Sequence, residues 1–323
     1  MSTPHHPSFF DPDRCSQLYL PRYGAVAAAA QAHQGAVKPA SKDTERIAVF
    51  GIDCQVGFST PGASLFVPGA VEDMQRGSQF ILNHLERITT LIFSLDTHRA
   101  YQIFHPAFWT NAEGNAPAPM TVITADDVRS GQWLPLRDVR KVVAYCELLE
   151  ATERYVLTIW PYHTLLGSPD HALVPALFEV AHYHSIVRQT QTHFITKGEH
   201  PMTENYSVFE PEVKEIDGES VGVFNTELFQ LLMSHDRVYV WGEASSHCVS
   251  ATLESLQKRI MGTDPGLLER VVILRDCMSP VPPVCDEEGT PIPALDFPTI
   301  AEQRLDAFVE AGMRAAKATS DIA

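Results

Sequence analysis

Short apolar runs recur along the chain, with polar or charged residues at or just beyond their ends. Residues 46–53 run from Arg46 through Ile47, Ala48, Val49, Phe50, Gly51 and Ile52 to Asp53, and 90–96 end on Asp96. Similar runs cover 154–160, 192–196, 237–242 and 270–275. They are apolar throughout, without the alternation of a half-solvated strand, so they predict strands buried on both faces. Between them lie stretches with apolar residues at helical spacing: 70–87, 172–184, 224–235, 248–260 and a last one at 299–317. Strands alternating with helices predict an α/β fold, a three-layer sandwich with a mostly parallel central sheet covered by helices on both faces. Such sheets bind ligands beyond the carboxyl ends of their strands.

Two stretches break the rhythm. Residues 106–136 carry Pro106, Gly114, Pro117, Pro119, Gly131 and Pro135 and predict a long excursion, continued by a helical segment at 137–153, as a lid or subunit contact. Residues 278–298 are again rich in proline. The resulting division is an N-terminal extension at 1–44, a main domain at 45–285 with its excursion at about 106–153, and a tail and helix at 286–323. The extension includes an alanine-rich stretch, 25–30, suited to a helix. There is no internal repeat.

Composition narrows the partners. The chain has 323 residues, 45% of them hydrophobic, enough for a full core. Its 24 basic and 40 acidic residues give a formal net charge of −16, the wrong sign for a nucleic-acid or anionic-membrane surface. No segment approaches the roughly 20 apolar residues of a membrane span, and the N-terminus has no leader pattern, so a cytoplasmic protein with a small-molecule partner is the expectation. The six cysteines are scattered, with no paired spacing, and read as reduced thiols.

The strand ends carry the chemistry. Cys248 follows the run ending at Gly242, where a helix should begin; there the helix dipole and unpaired N–H groups favour a thiolate and a developing oxyanion. Asp53 beside it would accept the thiol proton, and Lys197, which closes the run at His193, would hold that carboxylate ionised. Asp96 and His98, two apart on an extended segment, with His163 after the run at 154–160, form a carboxylate and two imidazoles that leave room on a divalent ion for substrate. His105 and His171 compete for the imidazole places. Phe58 and Trp109 are candidates to pack against a ring.

Five blocks in order resemble the nicotinamidases of the isochorismatase-like cysteine hydrolase superfamily. They are Asp53-Cys54-Gln55-Val56-Gly57-Phe58 with 62–70; Asp96-Thr97-His98; Trp160-Pro161-Tyr162-His163; Lys197-Gly198 with Tyr206-Ser207-Val208-Phe209; and Gly242-Glu243-Ala244-Ser245-Ser246-His247-Cys248-Val249. The resemblance spans about residues 45–280. It implies the isochorismatase-like fold, a triad of Asp53, Lys197 and Cys248, and a divalent metal on Asp96, His98 and His163, zinc first, with iron or manganese as alternatives. It also implies a cis peptide at Glu243–Ala244, with the N–H groups of Ala244 and Cys248 aimed at the substrate oxygen. The implied reaction is hydrolysis of nicotinamide through a Cys248 thioester, the metal holding the pyridine nitrogen. Superfamily members often self-associate, so a homo-oligomer is an open expectation. The pattern departs from the family at Thr97, commonly Trp, at Thr164, commonly Cys, and after His98, where the usual His-x-Ser-Phe continuation gives way to the excursion. These departures keep three other readings open: a cysteine amidase for another small amide or ureido compound, a metal hydrolase whose bound water is the nucleophile, and a non-catalytic binding scaffold.

Overall fold

β1 (Ile47–Ile52) is buried at every position, as a strand covered on both sides must be. The computed structural model describes residues 6–33, 35–152, 154–286 and 288–322. Residues 1–5, 34, 153, 287 and 323, which fall in the expected extension, excursion and tail, lie outside the described residues. β1 sits inside a six-stranded sheet with β2 (Thr90–Asp96), β3 (His193–Lys197), β4 (Arg237–Gly242), β5 (Val271–Leu274) and β6 (Arg314–Ala316). The order is β6-β5-β4-β1-β2-β3, and each neighbouring pair is parallel.

Helices α1 (Tyr23–His33), α2 (Ala70–Asn83) and α4 (Pro175–Arg188) pack together in one group, while α6 (Ser250–Met261) and α7 (Phe297–Glu310) form another. α3 (Val139–Glu150) belongs to the excursion, and α5 (Thr226–Met233) leads into β4. The sheet with its helical layers is the α/β fold that the apolar runs predict. α2 comes close to the sheet because Gly77 faces the Trp241 indole of β4; a Cβ at that position would overlap the ring. Asn225 caps α5 by accepting the Leu228 N–H at 2.9 Å, which places its start two residues after the expected one. Among the described residues no helix is long and apolar enough to cross a membrane.

The helix expected at 70–87 stops at Asn83, and two other expected elements differ in more than their end points. Of residues 154–160 only Leu157–Thr158 is extended, and it pairs antiparallel with Val122–Ile123 outside the main sheet. The run is diverted at its start, where Arg154 is held at 2.9 Å by Glu212 and at 2.8 Å by Glu254, and its Leu157, Ile159 and Trp160 fill core beneath the excursion. The last helix ends at Glu310 instead of continuing to 317. Gly312, at φ 119°, turns the chain, and Arg314–Ala316 then joins β5 as the edge strand β6.

Chain order decides where the site lies. From β1 the strands proceed outward through β2 to β3, and the chain then returns to β4 on the other side of β1. The carboxyl ends of β1 and β4 therefore border the crevice that opens where the strand order reverses.

Candidate active site

Asp53 leaves β1 with φ 49°, and Ser94 of β2 fixes it twice: the Asp53 N–H donates to Ser94 Oγ at 2.9 Å, and the Ser94 hydroxyl donates to Asp53 Oδ1 at 2.6 Å. Parallel register pairs Asp96 at the end of β2 with Lys197 at the end of β3. That alignment brings Lys197 Nζ to 2.8 Å from Asp96 Oδ1, 3.0 Å from Asp53 Oδ2 and 3.6 Å from Cys248 Sγ. The Asn205 carbonyl accepts a further Lys197 N–H at 2.9 Å. Asp53, Lys197 and Cys248 thus meet in one place, although they lie far apart in the chain.

Cys248 stands in a wide turn, Ser245–Val249, between β4 and α6, where the Val249 N–H reaches back to the Ala244 carbonyl at 3.2 Å. The helix proper begins at Ser250. The Glu243–Ala244 peptide is cis. Burial pushes the Cys248 thiol well above its ordinary pKa, with the Lys197 ammonium acting against it and Asp53, which accepts a hydrogen bond from the thiol, acting with burial. Burial likewise raises Asp53, partly offset by Lys197. For Lys197, burial works against the charge, but the Asp53 and Asp96 carboxylates outweigh it and hold the ammonium well above its usual range. A permanent cation therefore lies between two carboxylates and a thiol.

The second cluster adjoins the first. Ligand atoms of Asp96, His98 and His163 lie within 4.8 Å of one another, and all three residues are buried. His98 Nε2 is 2.8 Å and His163 Nε2 3.5 Å from Asp96 Oδ2. The Nδ1 atoms face main-chain carbonyls, Gly198 O at 3.1 Å and Pro161 O at 2.7 Å, so both rings turn Nε2 toward the carboxylate. Imidazoles held through Nδ1, with a carboxylate between their free nitrogens, suit a divalent ion. Burial alone would raise Asp96, but the charges of His98 and Lys197 outweigh it and hold the carboxyl well below the usual range. Of the competitors, His171 bonds to Thr97 Oγ1 at 2.9 Å outside the cluster. His105 packs edge-on against His98, with ring centroids 5.8 Å apart, and burial with the two neighbouring histidines pushes it down to about 3.

Both clusters open on a narrow cavity of about 40 Å³. Phe58 lines it with its ring 5.5 Å from that of His163. Trp109 does not: it is buried in the excursion, and its indole N–H donates to the Ile103 carbonyl at 2.6 Å. The irregular excursion gave no period from which to place that side chain. Trp160 and Tyr206 line the cavity instead, joined by an indole-to-hydroxyl bond of 3.1 Å, together with His247 and Glu204. Trp160 and Tyr206 both belong to the blocks that resemble nicotinamidases; nothing in the sequence marks Glu204.

No protein-family model and no curated protein matches the chain. Solved structures do. A nicotinamidase/pyrazinamidase from Acinetobacter baumanii superposes with a TM-score of 0.52 at 20% identity, covering 86% of this chain and 98% of the other. The yeast nicotinamidase bound to the inhibitor nicotinaldehyde superposes with a TM-score of 0.52 at 17% identity, covering 84% and 99%. With its parallel sheet in the order described, the chain adopts the isochorismatase-like α/β fold that these nicotinamidases share.

Proposed function

We propose that the protein is a cysteine amidohydrolase and that nicotinamide, hydrolysed to nicotinate and ammonia, is its substrate. The observation that carries this reading is the reach of Lys197 Nζ to Asp53, Asp96 and Cys248 at once, which joins a thiol, a base and a candidate metal cluster through one ammonium. The resemblance of the five sequence blocks supports the same chemistry.

Asp53 takes the Cys248 proton as sulfur bonds to the carboxamide carbon. Its burial-raised pKa suits it to hold that proton, and Lys197 stabilises the Asp53 carboxylate before the proton moves. The N–H groups of Ala244 and Cys248 receive the tetrahedral oxygen. Asp53 passes the proton to the substrate nitrogen, the C–N bond breaks, ammonia departs and a thioester remains. Asp53 then removes a proton from water, the new C–O bond forms, and the C–S bond breaks. That proton returns to sulfur as the acid leaves. A divalent ion held by Asp96, His98 and His163 would supply a Lewis-acidic anchor for the substrate's ring nitrogen. Phe58 packs the ring, and the narrow cavity selects a compact amide.

Ammonia release from nicotinamide, measured with and without a chelator, tests the reading. The expected result is turnover that chelation reduces and added zinc, iron or manganese restores. Turnover of other carboxamides or ureido compounds, with none of nicotinamide by the metal-loaded protein, rejects nicotinamide and keeps the amidase. No ammonia from any small amide and no labelling of Cys248 reject both.

A further inference from the structure

We propose that the side chains of Glu243 and Asp73 are positioning residues: their paired carboxyl groups, closed by Ser279, hold the turn through Ala244 so that its N–H meets the substrate oxygen. The proposal rests on the amidase reading and extends it to side chains that touch neither substrate nor sulfur.

Glu243 is fully buried at the end of β4. Its Oε2 accepts the Ser279 N–H at 3.3 Å, and the Ser279 carbonyl accepts the Ser245 N–H at 2.9 Å. One residue of the proline-rich segment thus grips the chain on both sides of Ala244. Asp73, in the first turn of α2, takes the Ser279 hydroxyl on Oδ2 and Arg76 Nη2 on Oδ1 at 2.6 Å. Arg76 also donates to the Asp276 carbonyl, just after β5. The network therefore ties α2, the segment after β5 and the turn before Cys248 into one frame.

Proton accounting gives the pair its character. Burial pushes both carboxyl groups up, and two carboxylates facing each other cannot both ionise readily, so one carries the proton. Asp73 already receives two donors, one of them a guanidinium, so it is the better anion. Glu243 Oε1 has no hydrogen-bond partner among the described residues, so we place the proton there, facing the Asp73 carboxylate. Burial first, then the Asp73 charge, raises Glu243 well above the ordinary range. The other groups facing it are Arg76 of α2 and Cys54 after β1.

Kinetics of Glu243→Leu, Glu243→Gln and Ser279→Ala on an amide that the wild type hydrolyses test the idea. Glu243→Leu should lower kcat by ~10²-fold, the scale of losing one oxyanion donor, with KM little changed. Glu243→Gln, which keeps a donor for Asp73 and an acceptor for Ser279, should recover most of that loss. It should also lack any decline of kcat with rising pH that comes from ionisation of Glu243 beside Asp73. Ser279→Ala, a milder change that secures the test if Glu243→Leu fails to fold, should lower kcat several-fold. Wild-type kcat in folded Ser279→Ala or Glu243→Leu, or a loss confined to KM, overturns the proposal. If the wild type hydrolyses no amide, the amidase reading fails by itself. Hydrogen exchange then decides: faster exchange at residues 244–249 in Ser279→Ala and Glu243→Leu than in Glu243→Gln supports the frame, and equal protection in all three rejects it.

Discussion

Lys197 and Cys248 share a cavity but stand on different energetic footings. The thiol is neutral and buried, and replacing sulfur by a hydroxyl oxygen removes little volume and no charge. Cys248→Ser should therefore leave the urea midpoint nearly unchanged while kcat/KM falls by about 10⁴-fold or more, because the oxygen is a far weaker nucleophile at this site. Near-full activity in that variant would instead make bound water the nucleophile. Lys197 is different, since its ammonium lies against both Asp53 and Asp96 and all three side chains are buried. Lys197→Met leaves two buried carboxylates facing each other and should cost about 3–5 kcal/mol in metal-free protein, read from urea unfolding. A loaded ion on Asp96 should return part of that stability. The stability carried by Asp96 has its own pH window: its depressed pKa means that the contribution is present above the ordinary carboxylate range and is lost as acid protonates the group.

Parallel strands made much of this site legible at the level of elements. The runs that form the parallel sheet all end on the same side of it, so Asp53, Asp96, Lys197 and the residues leading to Cys248 could be placed near one another from their positions at run ends. His163 follows the run at 154–160, but that run is not a strand of the sheet, so the block around Trp160 is the firmer of its two sequence signals. Trp109 was misplaced since loops rich in proline and glycine carry no periodicity to aim a side chain. Asp73 and Ser279 could not be seen either: a carboxylate in a first helical turn looks like an ordinary partner of the helix dipole, and what distinguishes Asp73 is a contact 206 residues away. Gly77 belongs to the same class of hidden information. Glycine in a helix interior weakens the helix by about 1 kcal/mol against alanine, so the sequence alone recommends Gly77→Ala as stabilising. The Trp241 indole reverses that advice, since the added methyl has nowhere to go. The expected result is a loss of about 1–3 kcal/mol from overpacking, measured by denaturant unfolding. An unchanged or raised stability would mean that α2 sits farther from β4 than described.

For the molecule as a whole, the N-terminal additions are part of the core, and their removal should be felt beyond the region they cover. α1 buries Val26 and Ala30 against α4, and Phe9 and Cys15, ahead of α1, are buried as well. The join is polar at its centre: Glu179 of α4, almost fully buried, receives Arg22 Nη2 at 2.6 Å, Arg22 Nε at 3.0 Å, the Arg22 N–H at 2.6 Å and the Tyr19 hydroxyl at 3.0 Å. Those donors hold the Glu179 carboxyl below its usual range against the opposing effect of burial. Arg22 itself is about one-third exposed, so solvent screens the pair and the net value of each bond is modest. Deleting residues 1–38 would nevertheless strip Glu179 of its donors and open an apolar helix face in one step, which favours association of the truncated chain. The truncated protein should melt lower and scatter more light than the full chain. Glu179→Gln in the full chain, which keeps the shape and loses the charge, should cost only about 1–3 kcal/mol without aggregation. The contrast separates the two contributions. If truncation leaves melting and light scattering as they were, α1 is an appendage and its packing on α4 contributes nothing to the fold. If Glu179→Gln proves as damaging as truncation, the ion pair and not the apolar face secures the extension to the sheet's helical layer.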